Sequence, residues 1–253
     1  MMPGARRAAN NHGHSSVISR FKSMPVTLQA SLMMLLALFF FITMGICIRL
    51  SSAFVSVIEV VFFRNILAVL ILAPVLIRQG ASSIAMKRPK LFFGRAMVNF
   101  IGMLCGFTAV TLIPLAEMTA LSFTGPIFVT IGAVLFLGEV SRVRRVMAIA
   151  VGFIGALIIL RPGLVEVSLG AMLALVSALT IAAASLVVKK MTETETNSAI
   201  VFWMVMMQAP LALVPALFVW QWPTLEAWVY LWGMALSGTA AHVLFTRAVG
   251  LVE

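Results

Sequence analysis

The stretch "LSFTGPIFVTIGAVLFLGEVSRVRRVMAIAVGFIGALIIL", residues 121–160, decides the fold class. Two apolar runs flank a short basic turn that holds Arg142, Arg144 and Arg145. A helix rises about 1.5 Å per residue, so about 20 apolar residues cross the hydrocarbon core of a bilayer. The stretch therefore reads as the main part of one spanning helix, a tight turn and a second spanning helix. The first run carries a defect, Gly125–Pro126. Proline removes a backbone donor and crowds the preceding turn, and glycine weakens that turn.

The same pattern repeats along the chain. Of 253 residues, 62% are hydrophobic and 10% are charged. Soluble domains carry about 25% charged residues, so the composition is that of an all-α polytopic membrane protein. Apolar runs at about 27–48, 55–77, 93–112, 117–138, 145–161, 168–188, 199–220 and 228–248 predict eight spans. The net charge of +10 comes from cations gathered in short clusters between these runs. Such clusters belong to cytoplasmic loops under the positive-inside rule, and no nucleic-acid motif accompanies them. Residues 1–26 read as a polar, basic cytoplasmic tail, because the run that follows is too long for a signal-peptide core. With the N-terminus inside, the outer ends hold only Arg49 and Arg161. Cys47 and Cys105 both fall in apolar runs and suggest neither a disulfide framework nor a metal site.

The two halves correspond. "VVFFRN" at 60–65 aligns with "IVFWMV" at 200–205, and at the same spacing Arg49 meets Lys189. The first half, 27–163, holds five spans, an odd number, so the second half, 168–253, starts on the opposite side of the membrane. This predicts two inverted five-helix repeats, an arrangement typical of secondary transporters, with eight of ten helices in the chain and the second repeat incomplete. "FTRAVGLVE" at 245–253 aligns with "FTAVTLIPLAE" at 107–117, so the chain is expected to stop where a ninth helix would begin. Such a truncated chain is expected to insert correctly and to transport poorly.

Residues 114–163 resemble the end of the first repeat in EamA-type members of the drug/metabolite transporter superfamily. The resemblance rests on Pro114–Glu117, Pro126, "LFLGE" at 135–139, Gly152 with Gly155, and "RPG" at 161–163. Arg64 in "FFRN" also stands where that family usually has an arginine. The resemblance implies ten helices, a bacterial cytoplasmic membrane location, and passage of a small metabolite or drug through a central cavity. Alternating access, with export or exchange, is the expected mechanism. The alternative is a non-transporting membrane assembly subunit or an inactive transporter fragment.

Polar groups inside spans are the candidate site residues, because lipid penalises them. Arg64 is either an anchor for a substrate anion or a structural arginine on backbone carbonyls. Glu59 lies five residues before it, roughly 140° around the helix, so the two are not an intrahelical pair. Arg95, Asn99, Gly102 and Gly106 share one helix face. Gly102-x-x-x-Gly106 suits close helix packing, and Asn99 is a cavity candidate. Ser122 and Thr124 place hydroxyls beside the Gly125–Pro126 break. Trp203, Gln208 and His242 complete the cavity candidates. Glu59, Glu117 and His242 are the candidates for carrying a proton. "TETETN" at 192–197 reads as a solvated loop. The partners expected are the lipid bilayer and a small-molecule substrate, with room for a homodimer and none for nucleic acid.

Enzyme classes find little support. The chain lacks aspartate, HExxH and a Walker A pattern, and two of its three histidines, His12 and His14, lie in the tail. No cofactor or metal is implied.

The charge asymmetry makes a topological prediction. A cysteine at Ser15, in a chain with Cys47 and Cys105 replaced, is expected to react with an impermeant maleimide in inverted vesicles only. Labelling in intact cells would reverse the orientation.

Overall fold

The computed structural model describes residues 24–80, 84–138, 143–160 and 168–251. Within them the chain is helical, and no strand occurs among the described residues. The helices are α1 (Val26–Ser51), α2 (Val57–Gln79), α3 (Pro89–Leu112), α4 (Leu115–Ser122) and α5 (Gly125–Leu137). They are followed by α6 (Val143–Leu160), α7 (Leu169–Thr192), α8 (Asn197–Ala216) and α9 (Leu225–Gly250). Each predicted span falls on helix, the fourth as two pieces. By length and composition, six described segments are apolar enough to cross a membrane: Val26–Ser51, Val57–Pro74, Pro89–Leu112, Leu115–Phe136, Leu169–Thr192 and Ser198–Ala216. The protein is therefore a multi-pass membrane protein. The eight-span count is thus supported in its coarser form, because α6 and α9 are not among the six. In α9 the run Ser237, Gly238, Thr239 and His242 dilutes the apolar character.

Helix ends are closed by local chemistry. Ser168 accepts from the amide of Ala171 at 3.1 Å and starts α7, while Thr196 accepts from Ala199 at 3.2 Å and starts α8. Lys189 and Lys190 sit in the last turn of α7, where cations oppose the helix dipole favourably. Gly138 ends α5 with a φ of 65°, a left-handed conformation that glycine adopts without cost. At the other end of that helix, Pro126 occupies the first turn, where its missing N–H costs nothing. Pro126 has no N–H to donate to the carbonyl of Ser122, and the chain turns through Phe123–Thr124 before α5 begins.

The chain divides into two compact units, residues 1–42 with 237–253, and residues 43–236. In the first, the described parts of α1 and α9 bring Ala37 and Ala241 into full burial. There the ring of Phe41 stands edge-on to His242, centroids 5.2 Å apart.

In the second unit α3 and α7 form the most extensive helix pair, and α2 packs on α8. Small residues allow the α3–α7 approach. A Cβ on Gly102 would come within 2.4 Å of Thr180 Oγ1, and one on Gly106 within 2.6 Å of Ser177 Oγ. Ser177 Oγ donates to the carbonyl of Gly102 at 2.8 Å. Lipid gives helices no hydrophobic reason to associate, so such close contact and interhelical hydrogen bonding hold the pair. Large side chains elsewhere face outward, Phe136 and Ile158 among them, as a surface solvated by acyl chains requires.

Arg49, at the end of α1, donates its Nε to the carbonyl of Val110 at 2.9 Å and Nη2 to that of Ile113. A guanidinium thus closes the carbonyl end of α3, where the dipole is negative.

Gly102→Val is expected to destabilise the fold by about 1–3 kcal/mol, because the branched side chain overpacks against Thr180. Thermal unfolding in detergent measures this, and Gly94→Val, with open space at its Cβ, serves as the matched control.

Candidate functional site

The predicted polar residues occupy three places. The first is a seam between α2, α3 and α8. Arg64 lies on α2, only 6% exposed, and Nη1 donates to the Oδ1 of the adjacent Asn65 at 3.1 Å. Asn65 is fully buried and turns its amide to the carbonyl of Val61 at 2.9 Å and towards the Sδ of Met103, on α3, at 3.9 Å. Two turns back along α3, Arg95 is 9% exposed and reaches across to α8. Its Nη1 donates to the carbonyl of Ile200 at 2.9 Å, and Nη2 lies 3.3 Å from Met204 Sδ. Its Nε is buried without a partner. One turn beyond Met204, Gln208 is 0% exposed. Its Nε2 makes a long bond, 3.4 Å, to the carbonyl of Ala96, and its Oε1 has no partner. Asn99 is half-buried on α3, one turn past Arg95.

These groups form a column rather than a point. Met103 and Arg95 are eight residues apart, so the Asn65–Arg64 level stands about 12 Å along the helix axis from the Arg95 level. Gln208 and Asn99 fall between. Ala68, one turn past Arg64, packs with Met204 and Val205, which ties the two levels into one seam. Neither arginine has a carboxylate partner among the described residues. A guanidinium kept from lipid and water alike needs acceptors, and here backbone carbonyls, an amide oxygen and a thioether supply them.

The second place is the helix break. A cavity of about 580 Å³ is lined there by Ser122, Gly125 and Pro126 with Ile149 and Gly152 of α6 and Ser185 of α7. Thr124 is buried beside the break and donates to the carbonyl of Leu121 at 2.7 Å. Ser122, Thr130 and Ser185 likewise donate to carbonyls of their own helices, at 2.6, 2.8 and 2.8 Å. The cavity therefore presents a mainly apolar wall with hydroxyl lone pairs. The seam presents buried donors of positive charge. The two do not coincide: the buried guanidiniums of Arg64 and Arg95 lie in the seam and not at the break.

The third place is scattered. Glu59 is fully buried at the start of α2, where Oε2 accepts from the amide and hydroxyl of Ser56 at 2.8 and 2.7 Å. Together with the return contact from the Glu59 amide to Ser56 Oγ, this is a capping box. Oε1 accepts from the distant amide of Gln221 at 2.6 Å. Glu117 is half-buried in the first turn of α4. Trp203 donates its indole N–H to the carbonyl of Ile84 at 2.8 Å. His242 lies in the other unit, against Phe41.

Sequence reasoning passed over three participants. Arg95 read as the cytoplasmic end of a polar face, and its spacing to Asn99 was the available signal. Asn65 stood in plain view in "FFRN". Glu195, in the stretch read as a solvated loop, is buried instead and accepts from the amides of Lys87 and Arg88.

A bundle of apolar helices long enough to cross a bilayer, with buried arginines between them, defines a multi-pass membrane protein. The EamA-like transporter family model matches residues 28–161, just over half of the chain, and the chain belongs to that family. It is 27% identical over 77% of its length to an S-adenosylmethionine uptake transporter of Rickettsia bellii, covering 67% of that protein. It is 29% identical over 86% of its length to a pseudopaline exporter of Pseudomonas aeruginosa, covering 77% of that protein. A riboflavin transporter of Rhizobium johnstonii is 32% identical over 59% of this chain and 50% of its own length. These relatives place the chain among transporters rather than enzymes.

Gln208→Leu tests whether the unpaired oxygen is structural. The substitution removes an orphaned acceptor, which costs about 1–3 kcal/mol when buried, and sacrifices only one long bond. Thermal unfolding in detergent is expected to show unchanged or raised stability. A marked drop would make Gln208 a fold residue.

Proposed function

We propose that this chain works as a secondary transporter of the bacterial cytoplasmic membrane, moving a small organic metabolite that carries an anionic group. The observation that carries this is the seam of Arg64, Asn65, Arg95, Asn99 and Gln208, with two buried guanidiniums and no internal counter-ion among the described residues. Burying a charge without an opposite charge is costly, and a chain keeps such groups where a ligand supplies the missing acceptor. The Arg95 Nε and Gln208 Oε1 offer one free donor and one free acceptor at neighbouring levels of the seam. A solute with a carboxylate or phosphate and a hydrogen-bond donor suits them.

The mechanism is alternating access between two inverted repeats, with exchange or export along the solute gradient. Support for inversion comes from α2 and α8, the second helix of each repeat. The start of α2 meets the chain after α8, through Glu59 and Gln221, and the start of α8 meets the chain after α2, through Trp203 and Ile84. The two helices therefore run antiparallel, as inverted repeats require. Lys and Arg placement supports a cytoplasmic N-terminus. In this reading the Gly125–Pro126 break gives the wall of the pathway a point of bending, and Glu117 and His242 remain the candidates for proton coupling.

Reconstituted into liposomes, the chain is tested with labelled S-adenosylmethionine, riboflavin, amino acids and nucleotides, the first two being solutes named for its relatives. Arg64→Gln and Arg95→Gln are expected to lower flux at least tenfold, the loss of about 1.4 kcal/mol or more of binding or barrier stabilisation. Competition is expected from carboxylates and phosphates, not from neutral or cationic solutes. Undiminished flux in both variants would remove the seam from the pathway. Absence of flux for the whole panel would favour an assembly subunit or an inactive transporter fragment.

A further inference from the structure

Each end of α8 is fastened by the same device, a buried carboxylate on distant backbone amides. At one end Glu59, in the first turn of α2, accepts from the backbone amide of Gln221, beyond the end of α8, at 2.6 Å. At the other end Glu195, just before α8, accepts from the backbone amides of Lys87 and Arg88, which lead from α2 into α3 at Pro89, at 3.1 and 3.0 Å. An aromatic side chain sits beside each fastening. Phe63 packs on Trp220 and Trp228, centroids 5.6 and 5.2 Å away, and Trp203 bonds Ile84. Phe63 and Trp203 occupy the same place in the aligned stretches 60–65 and 200–205. With the 20 residues of α8 between them, the two fastenings are separated by about 30 Å of helix, the thickness of the hydrocarbon core. The cationic seam lies between them.

We propose that Glu59 and Glu195 are paired gate residues, each sealing one end of the seam, and that transport releases them in turn. The proposal rests on the alternating-access reading above and adds the parts that do the closing. Three features favour gates over simple caps. Each carboxylate reaches into the opposite half of the chain, across 162 and 108 residues. Each is buried, so its bonds to amides are made in a medium that strengthens them. Each binds backbone donors, which are present whatever the loop side chains do, so a seal broken in one cycle re-forms in the next. Glu59 also separates its tasks. Oε2 keeps the capping box on Ser56 while Oε1 holds Gln221, so the gate can open without unravelling α2.

That separation supplies a clean variant. Glu59→Gln can keep its one oxygen on Ser56 and turn its amide towards the Gln221 N–H, which preserves the cap and removes the seal. Glu195→Ala removes the other seal. Glu195→Gln retains an oxygen for both amides and is the control. The reporter is a cysteine at Ala68, buried in the seam, in a chain with Cys47 and Cys105 replaced by alanine. Its reaction with an impermeant maleimide is timed from each membrane face in intact cells and inverted vesicles.

Glu59→Gln is expected to raise the rate about fivefold or more from one face and to leave the other within about twofold, as the open population on that side grows. Glu195→Ala is expected to do the same from the opposite face, and Glu195→Gln to stay near the parent. Where Glu195→Ala fails to accumulate, Trp203→Phe loosens the same end by losing only the bond to Ile84, and a smaller rise from the same face is expected. No change, or equal rises from both faces with either single variant, would overturn the proposal. One-sided labelling in a chain without flux would leave the gates standing and remove the transport reading.

Discussion

Inside hydrocarbon a polar group has no water to fall back on, so every donor and acceptor between these helices must be satisfied by protein or solute. The backbone meets this demand by being helix. The side chains meet it unevenly. Ser177 spends its hydroxyl on the carbonyl of Gly102 and so locks α3 to α7. Arg49 spends its guanidinium on the carbonyls that end α3. Arg95 and Gln208 each keep one polar atom unspent. The contrast separates groups satisfied within the fold from groups with a polar atom to spare.

The packing glycines and the polar groups also meet on one helix, where Arg95, Gly102 and Gly106 share a face. Gly102 and Gly106 turn α3 towards α7, where a missing Cβ is what lets the helices touch. Arg95 turns it towards α8, and Met103 meets Asn65 of α2. Helix α3 is therefore held against α7 at Gly102 and Gly106 and bonded to α8 two turns earlier on the same face, through Arg95. The α3–α7 pair is held by close backbone approach, and the α2–α8 pair by its ends and by Ala68 packed on Met204 and Val205 between them. The break before α5 adds a local weakness in α4–α5, because no amide of Pro126 exists to hold the preceding turn.

Much of the fold was legible because its causes are local. Hydropathy over about 20 residues marks a span, and a Gly–Pro pair marks a break, wherever the segment ends up. Arg64 and Gln208 were legible for the same reason, being polar letters inside apolar runs. Arg95 was harder, since a cation near a helix end reads alike whether it snorkels to the headgroups or packs inward. Only its bond to Ile200, far along the chain, separates the two. Glu195 was misleading, because "TETETN" has the composition of solvated loop and its burial comes from Lys87 and Arg88 folding over it.

The sequence by itself determined that this chain lives in a membrane, where its helices lie, where one of them breaks, and to which family it is similar. Those follow from transfer free energies and backbone chemistry that act within a single segment. The tertiary structure decided which polar groups meet. It set Arg95 beside Met204, Gln208 against Ala96, and the two carboxylates on amides of the opposite half. Such pairings depend on helix rotation and on contacts more than 100 residues apart in the chain, and no periodicity within one helix encodes them.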